Sequence, residues 1–77
     1  MNINLLIANK VICTKDLVEE NGVVLSKKGD VWENTLYGTT KSVRLVREMK
    51  NGTPEWLEVS HDSLMEHFEE YNSLLGQ

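Results

Sequence analysis

The chain has 77 residues, 40% of them apolar, and a net charge of −4, which is material for one small core and not for two. A chain of this size buries only about 60% of the surface exposed by its unfolded form, so an enclosed substrate cleft would consume much of that core, and this argues against an enzyme. The lone cysteine, Cys13, excludes an intrachain disulfide and reads as a small buried hydrophobe within Val11-Ile12-Cys13.

In chain order, the opening segment has no basic stretch, and its apolar run Leu5 to Ala8 is too short for a signal peptide or a membrane span. With no disulfide, the expectation is a soluble, cytoplasmic protein. Lys10 to Thr14 is β-branched and reads as a strand. Asp16 to Glu20 fits a strand extension or a single turn. Asn21-Gly22 signals a turn into a strand at Val23 to Leu25. Lys27 to Asp30 turns the chain again, Val31 to Leu36 is the next strand, and Tyr37 to Lys41 is a polar loop around Gly38. Ser42 to Met49 is the longest strand candidate, and Asn51-Gly52 returns it into Trp56 to Val59.

The register of this last hairpin follows from charge. A two-residue Asn51-Gly52 loop would set Glu48 against Glu55, and like charges directly opposed are unfavourable. A loop of three or five residues puts Leu45 beside Val59, with Val43 and Leu57 on the same face. Arg44, Val46, Glu48, Trp56 and Glu58 then take the other face, and Pro54 stays outside the ladder.

A helix is expected over 60–75. Ser60 is a good N-cap, and Leu64, Phe68, Tyr71 and Leu75 fall in one stripe at about 100° per residue. Asp62, Glu66, Glu69 and Glu70 then take the opposite face.

That face belongs to a strong asymmetry. Residues 1–50 carry every Lys and Arg and a net of +2, whereas residues 51–77 carry six acids, no Lys or Arg, and a net of −6. Asp62, Glu66, Glu69 and Glu70 are therefore candidate contacts for a protein partner with a basic surface, steered by their field. A solvated helix face is the ordinary alternative.

Lys41, Arg44, Arg47 and Trp56 are the candidates for nucleic-acid binding, as cations beside an aromatic platform. The acidic C-terminal part opposes a polyanion. Ser26-Lys27-Lys28-Gly29-Asp30 does not match a phosphate-binding loop, because its glycine follows the lysines and a strand follows the glycine. His61 and His67 are six residues apart, whereas a metal-binding pair on one helix face needs a spacing of three or four. No cofactor, metal or catalytic residue is expected.

Val11, Cys13, Lys15 and Asp16, then Leu25, Lys28, Gly29 and Trp32, then Val59, Ser60, Leu64 and Phe68 form a pattern over roughly residues 10–70. This pattern resembles the small SH3-like β-barrel proteins of phages and prophages. Asn34 departs from it where an apolar strand residue belongs, the helix is longer than usual, and residues 1–9 precede it as an extra edge strand. The resemblance implies a single SH3-like domain over 1–77: a small antiparallel barrel of about five strands with a C-terminal amphipathic helix. It names no binding residue. The functional expectation is a non-catalytic binding module, a phage or prophage accessory protein that engages a host protein. The alternatives are a nucleic-acid-binding barrel and a structural or homo-oligomeric subunit of a phage assembly.

Overall fold

The structure, a computed structural model, describes residues 8–49 and 51–71. Seven short strands and one helix follow in order: β1 (Lys10–Cys13), β2 (Leu17–Val18), β3 (Val24–Ser26), β4 (Val31–Gly38), β5 (Ser42–Glu48), β6 (Pro54–Ser60), α1 (His61–His67) and β7 (Phe68–Glu70). Five of the strands form one antiparallel sheet in the order β6-β5-β4-β1-β7, and β2 and β3 pair as a separate hairpin. Among the described residues the sheet is open, with β6 and β7 as its ends, so the closed barrel expected from the sequence is not formed there: β2 and β3 pair only with each other and do not bridge the two ends.

Alternation of side chains selects the core. Val11 and Cys13 of β1, Trp32 of β4, Val43 and Leu45 of β5, and Leu57 and Val59 of β6 all point inward. Leu64 and Phe68 close over them. Trp32 is the largest fully buried side chain, and its indole N–H donates to the equally buried Ser26 hydroxyl at 2.9 Å. A buried indole needs such a partner.

The β5–β6 ladder pairs Val43 with Val59, Leu45 with Leu57, and Glu48 with Pro54, so the connection is five residues long. Arg44, Val46, Glu48, Trp56 and Glu58 share the outer face, as the charge argument requires. Pro54 differs from expectation: it lies inside the ladder, as the first residue of β6. The sheet tolerates it there because β6 is an end strand.

The C-terminal helix is much shorter than the apolar stripe implies. Ser60 caps it, with its hydroxyl accepting from the Ser63 amide, but at Phe68 the backbone turns extended (φ −133°, ψ 157°). Phe68 is buried from a strand and not from a helix. The competing partner is β1: Thr14 N–H donates to His67 C=O at 2.7 Å, and Tyr71 N–H to Lys10 C=O at 2.9 Å. Saturating the free edge of β1 outweighs two further turns of helix whose acids would oppose the helix dipole. Leu75, and the strand expected over 1–9 as far as residue 7, lie outside the described residues.

Gly38 closes the β4–β5 hairpin. A Cβ there would lie far inside van der Waals contact of Ser42 O and 2.9 Å from Val43 Cα, both backbone atoms that cannot step aside. Gly38→Ala should therefore cost about 1–3 kcal/mol, seen as a lower urea midpoint at unchanged slope. An unchanged midpoint would mean that the hairpin opens without penalty.

Candidate binding surface

The basic corner has its backbone amides already engaged. Lys27 N–H donates to Asp30 Oδ2 at 2.9 Å, and Lys28 N–H to Asp16 Oδ1 at 2.7 Å. Gly29 N–H donates to Cys13 C=O, and Cys13 N–H to Asp30 C=O, both at 2.7 Å. Two carboxylates of the chain occupy the donors that a phosphate would need, and the corner clamps β1. Cys13 itself is buried, with its thiol against Lys15 C=O.

Arg47 does not join the other nucleic-acid candidates. It lies on the inner face, with its guanidinium 4.4 Å from the Trp32 ring centroid, 2.7 Å from Asp30 Oδ2 and 2.9 Å from Glu55 Oε1. Burial alone would lower the Arg47 pKa, but bonds to Glu55 and Asp30 override it and raise the pKa. Lys41 is exposed in the turn between β4 and β5, and its carbonyl accepts from His61 N–H. Arg44 and Trp56 share the outer face. Arg44 stands 3.7 Å from Glu58, which also accepts from the Ser42 hydroxyl at 3.0 Å.

The four acidic candidates are likewise separated. Asp62 and Glu66 are on α1, whereas Glu69 and Glu70 are on β7 and point to opposite sides of that strand. Glu66 pairs with Lys15 at 3.2 Å. A cation from the other end of the chain thus meets the acidic segment, and sequence spacing carries no sign of this.

The outer face is mixed in charge. One cross-strand row reads Lys10, Glu33, Val46, Trp56, and the next pairs Arg44 with Glu58. Beside the first row is a cavity of 410 Å³ lined by Lys10, Glu33, Val46, Glu48 and Pro54, among others, and a depression of 430 Å³ is lined by Arg44, Trp56 and Glu58.

At one end of this face β4 bulges. Asn34 pairs with Leu45 and Gly38 with Val43, so three residues of β4 oppose Arg44 alone. Side chains brace the bulge: Asn34 Oδ1 accepts from Leu36 N–H at 2.8 Å, the Thr35 hydroxyl donates to Arg44 C=O at 2.8 Å, and the same hydroxyl accepts from Tyr37 N–H at 3.2 Å. Leu36 is held at φ +64°, the only described non-glycine residue at positive φ. It is 60% exposed, and Tyr37 is 74% exposed. For a leucine the left-handed conformation costs about 1–2 kcal/mol. Asn34, out of place in an apolar strand, was the visible trace of this bulge; the exposure of Leu36 and Tyr37 had no separate sequence signal.

Among the described residues no group of three or more His, Cys, Asp or Glu side chains is placed to hold a metal ion, and no helix is long and apolar enough to cross a membrane. Comparison with family models, with curated proteins and with solved structures returns no match.

Proposed function

We propose that this chain is a non-catalytic protein-binding module of SH3-like architecture, and that Leu36 and Tyr37 are its contact residues. The observation that carries the reading is the braced bulge. Three side-chain hydrogen bonds hold two large apolar residues out in water, one of them in a strained conformation. Local strain and exposed apolar area are both unfavourable for the isolated chain, and they concentrate where a partner can offset them. The adjoining face alternates in sign, which suits a protein surface better than a phosphate backbone. The strand order, with β7 brought beside β1 by one short helix, is in keeping with an SH3-like chain path, although the sheet is open. The sequence resemblance extends the reading to a phage or prophage accessory protein that engages a host protein.

The test compares the wild-type chain with the double variant Leu36→Asn, Tyr37→Ser. Asparagine tolerates positive φ, so the variant should fold with equal or slightly higher stability. Captured from a bacterial lysate treated with nuclease, one defined protein should be retained by the wild type and lost by the variant. Equal retention by both chains would remove the bulge from the site. Retention abolished by nuclease, with salt-dependent binding weakened by Arg44→Gln, would favour the nucleic-acid reading instead.

A further inference from the structure

We propose that β6 is a self-association strand, and that its occupant is β6 of a second copy, antiparallel about a two-fold axis. The phase of the β5–β6 ladder is fixed at both ends: Met49 N–H donates to Thr53 C=O at 2.9 Å, and His61 N–H to Lys41 C=O at 2.8 Å. Antiparallel pairing alternates. The amides and carbonyls of Glu55, Leu57 and Val59 therefore point to β5, and those of Trp56 and Glu58, with the Ser60 amide, point away from the sheet. Pro54 falls on the outward side, where its missing N–H breaks no ladder bond.

The two ends of the sheet are protected unequally. β7 is three residues long and carries Glu69 and Glu70. β6 is seven residues long and has no lysine, its ladder with β5 runs without a bulge, and it exposes Trp56 at 58%. Short length, charge, proline and bulges are the usual devices against edge pairing. β6 carries Glu55, Glu58 and Pro54, but it is neither short nor bulged, and its glutamates and proline are accommodated in the register below.

Its residues are complementary to themselves in one register. With Trp56 opposite Glu58 of the second copy, the two-fold passes between the Leu57 residues and no like charges are opposed. Each Trp56 then meets the Arg44–Glu58 pair of the other copy. Pro54 faces Ser60 of the second copy. An N-cap carbonyl accepts the first bond of its own helix, so the donor that Pro54 lacks is not needed, while the Ser60 amide still donates to the Pro54 carbonyl. Sliding by one step sets Glu58 against Glu58, which is unfavourable. Sliding the other way sets Ser60 beyond the end of the opposing strand.

Sedimentation equilibrium of the full chain over a concentration series tests this. The wild type should show a reversible monomer–dimer equilibrium. Glu58→Pro removes an outward amide and no internal one, so it should keep a wild-type circular dichroism spectrum and sediment as a monomer. Trp56→Thr, a good strand former at an exposed position, should weaken the dimer about tenfold or more. A wild type that stays monomeric up to about 1 mM, or a folded Glu58→Pro or Trp56→Thr chain that dimerises as tightly as wild type, overturns the proposal.

Discussion

Trp32→Ala should be the most destabilising single truncation in the core. Trp32 is 1% exposed and lies between β1 and β5, with Arg47 over its ring and Ser26 on its indole N–H. Truncating a buried tryptophan to alanine costs about 3–5 kcal/mol. A domain of this length has about 4–11 kcal/mol in total, so the loss takes from about a quarter to all of its stability. Trp32→Phe should be milder, restoring ring volume but leaving the Ser26 hydroxyl buried without its donor, at about 1–3 kcal/mol. Urea titration by far-ultraviolet circular dichroism gives the order wild type, Trp32→Phe, Trp32→Ala. Fluorescence gives an independent check, since Trp32→Phe leaves only the exposed Trp56, and emission should shift to the red. An alanine variant with a near-native midpoint would show that Trp32 is not the centre of this core.

Arg47→Met should cost about 2–3 kcal/mol although it replaces a charged residue by an apolar one. Methionine keeps the aliphatic cover over Trp32 but removes the shared partner of Asp30 and Glu55, leaving two half-buried carboxylates uncompensated. Lysine should not rescue the change, because one ammonium lacks the fork that reaches both acids. The same network predicts acid sensitivity. Burial alone would raise the Asp30 pKa, but the Lys27 amide and Arg47 together hold it below the ordinary aspartate value. A carboxyl depressed in the folded state contributes stability that is fully present above its unfolded pKa, about 3.9. That contribution is lost as pH falls through the lower folded value. Wild-type stability should therefore fall below about pH 4, in part through Asp30, and the Arg47→Met chain should lose less over the same interval. An equal loss in both chains would show that Arg47 does not hold the Asp30 proton off.

What the sequence disclosed was local. The glycine-marked turns at Gly22, Gly29 and Gly52 each carry positive φ. The side parity of the Ser42–Ser60 hairpin followed from one pair of glutamates. The mainly antiparallel β class followed from the density of such turns. The end of α1 was hidden, because Phe68 and Tyr71 continue the helical spacing and only the vacant edge of β1, distant in sequence, draws the chain out of it. The candidate residues are dispersed over the surface for the same reason. Glu66 is matched by Lys15, and Arg47 by Asp30, through pairings that cross the chain. Charge runs report which ions are neighbours in sequence and not which are neighbours in space.

The pairing of β1 with β7 also bears on how the chain reaches this structure. The Thr14 hydroxyl meets the His67 carbonyl across 53 residues of chain. Strand β1 sits between β4 and β7, so its second ladder forms only when residues near the C-terminal end arrive. Loop closure of that length is entropically unfavourable before any contact rewards it, and such topologies fold slowly for their size. During synthesis the pairings within β2–β3 and β5–β6 are local and available as they emerge, though marginal by themselves, while the core that Phe68 seals waits for β7. A nascent chain stopped before Phe68 should therefore expose its apolar face for as long as the ribosome takes to supply that strand, and a chaperone that binds extended apolar segments would find its opportunity there.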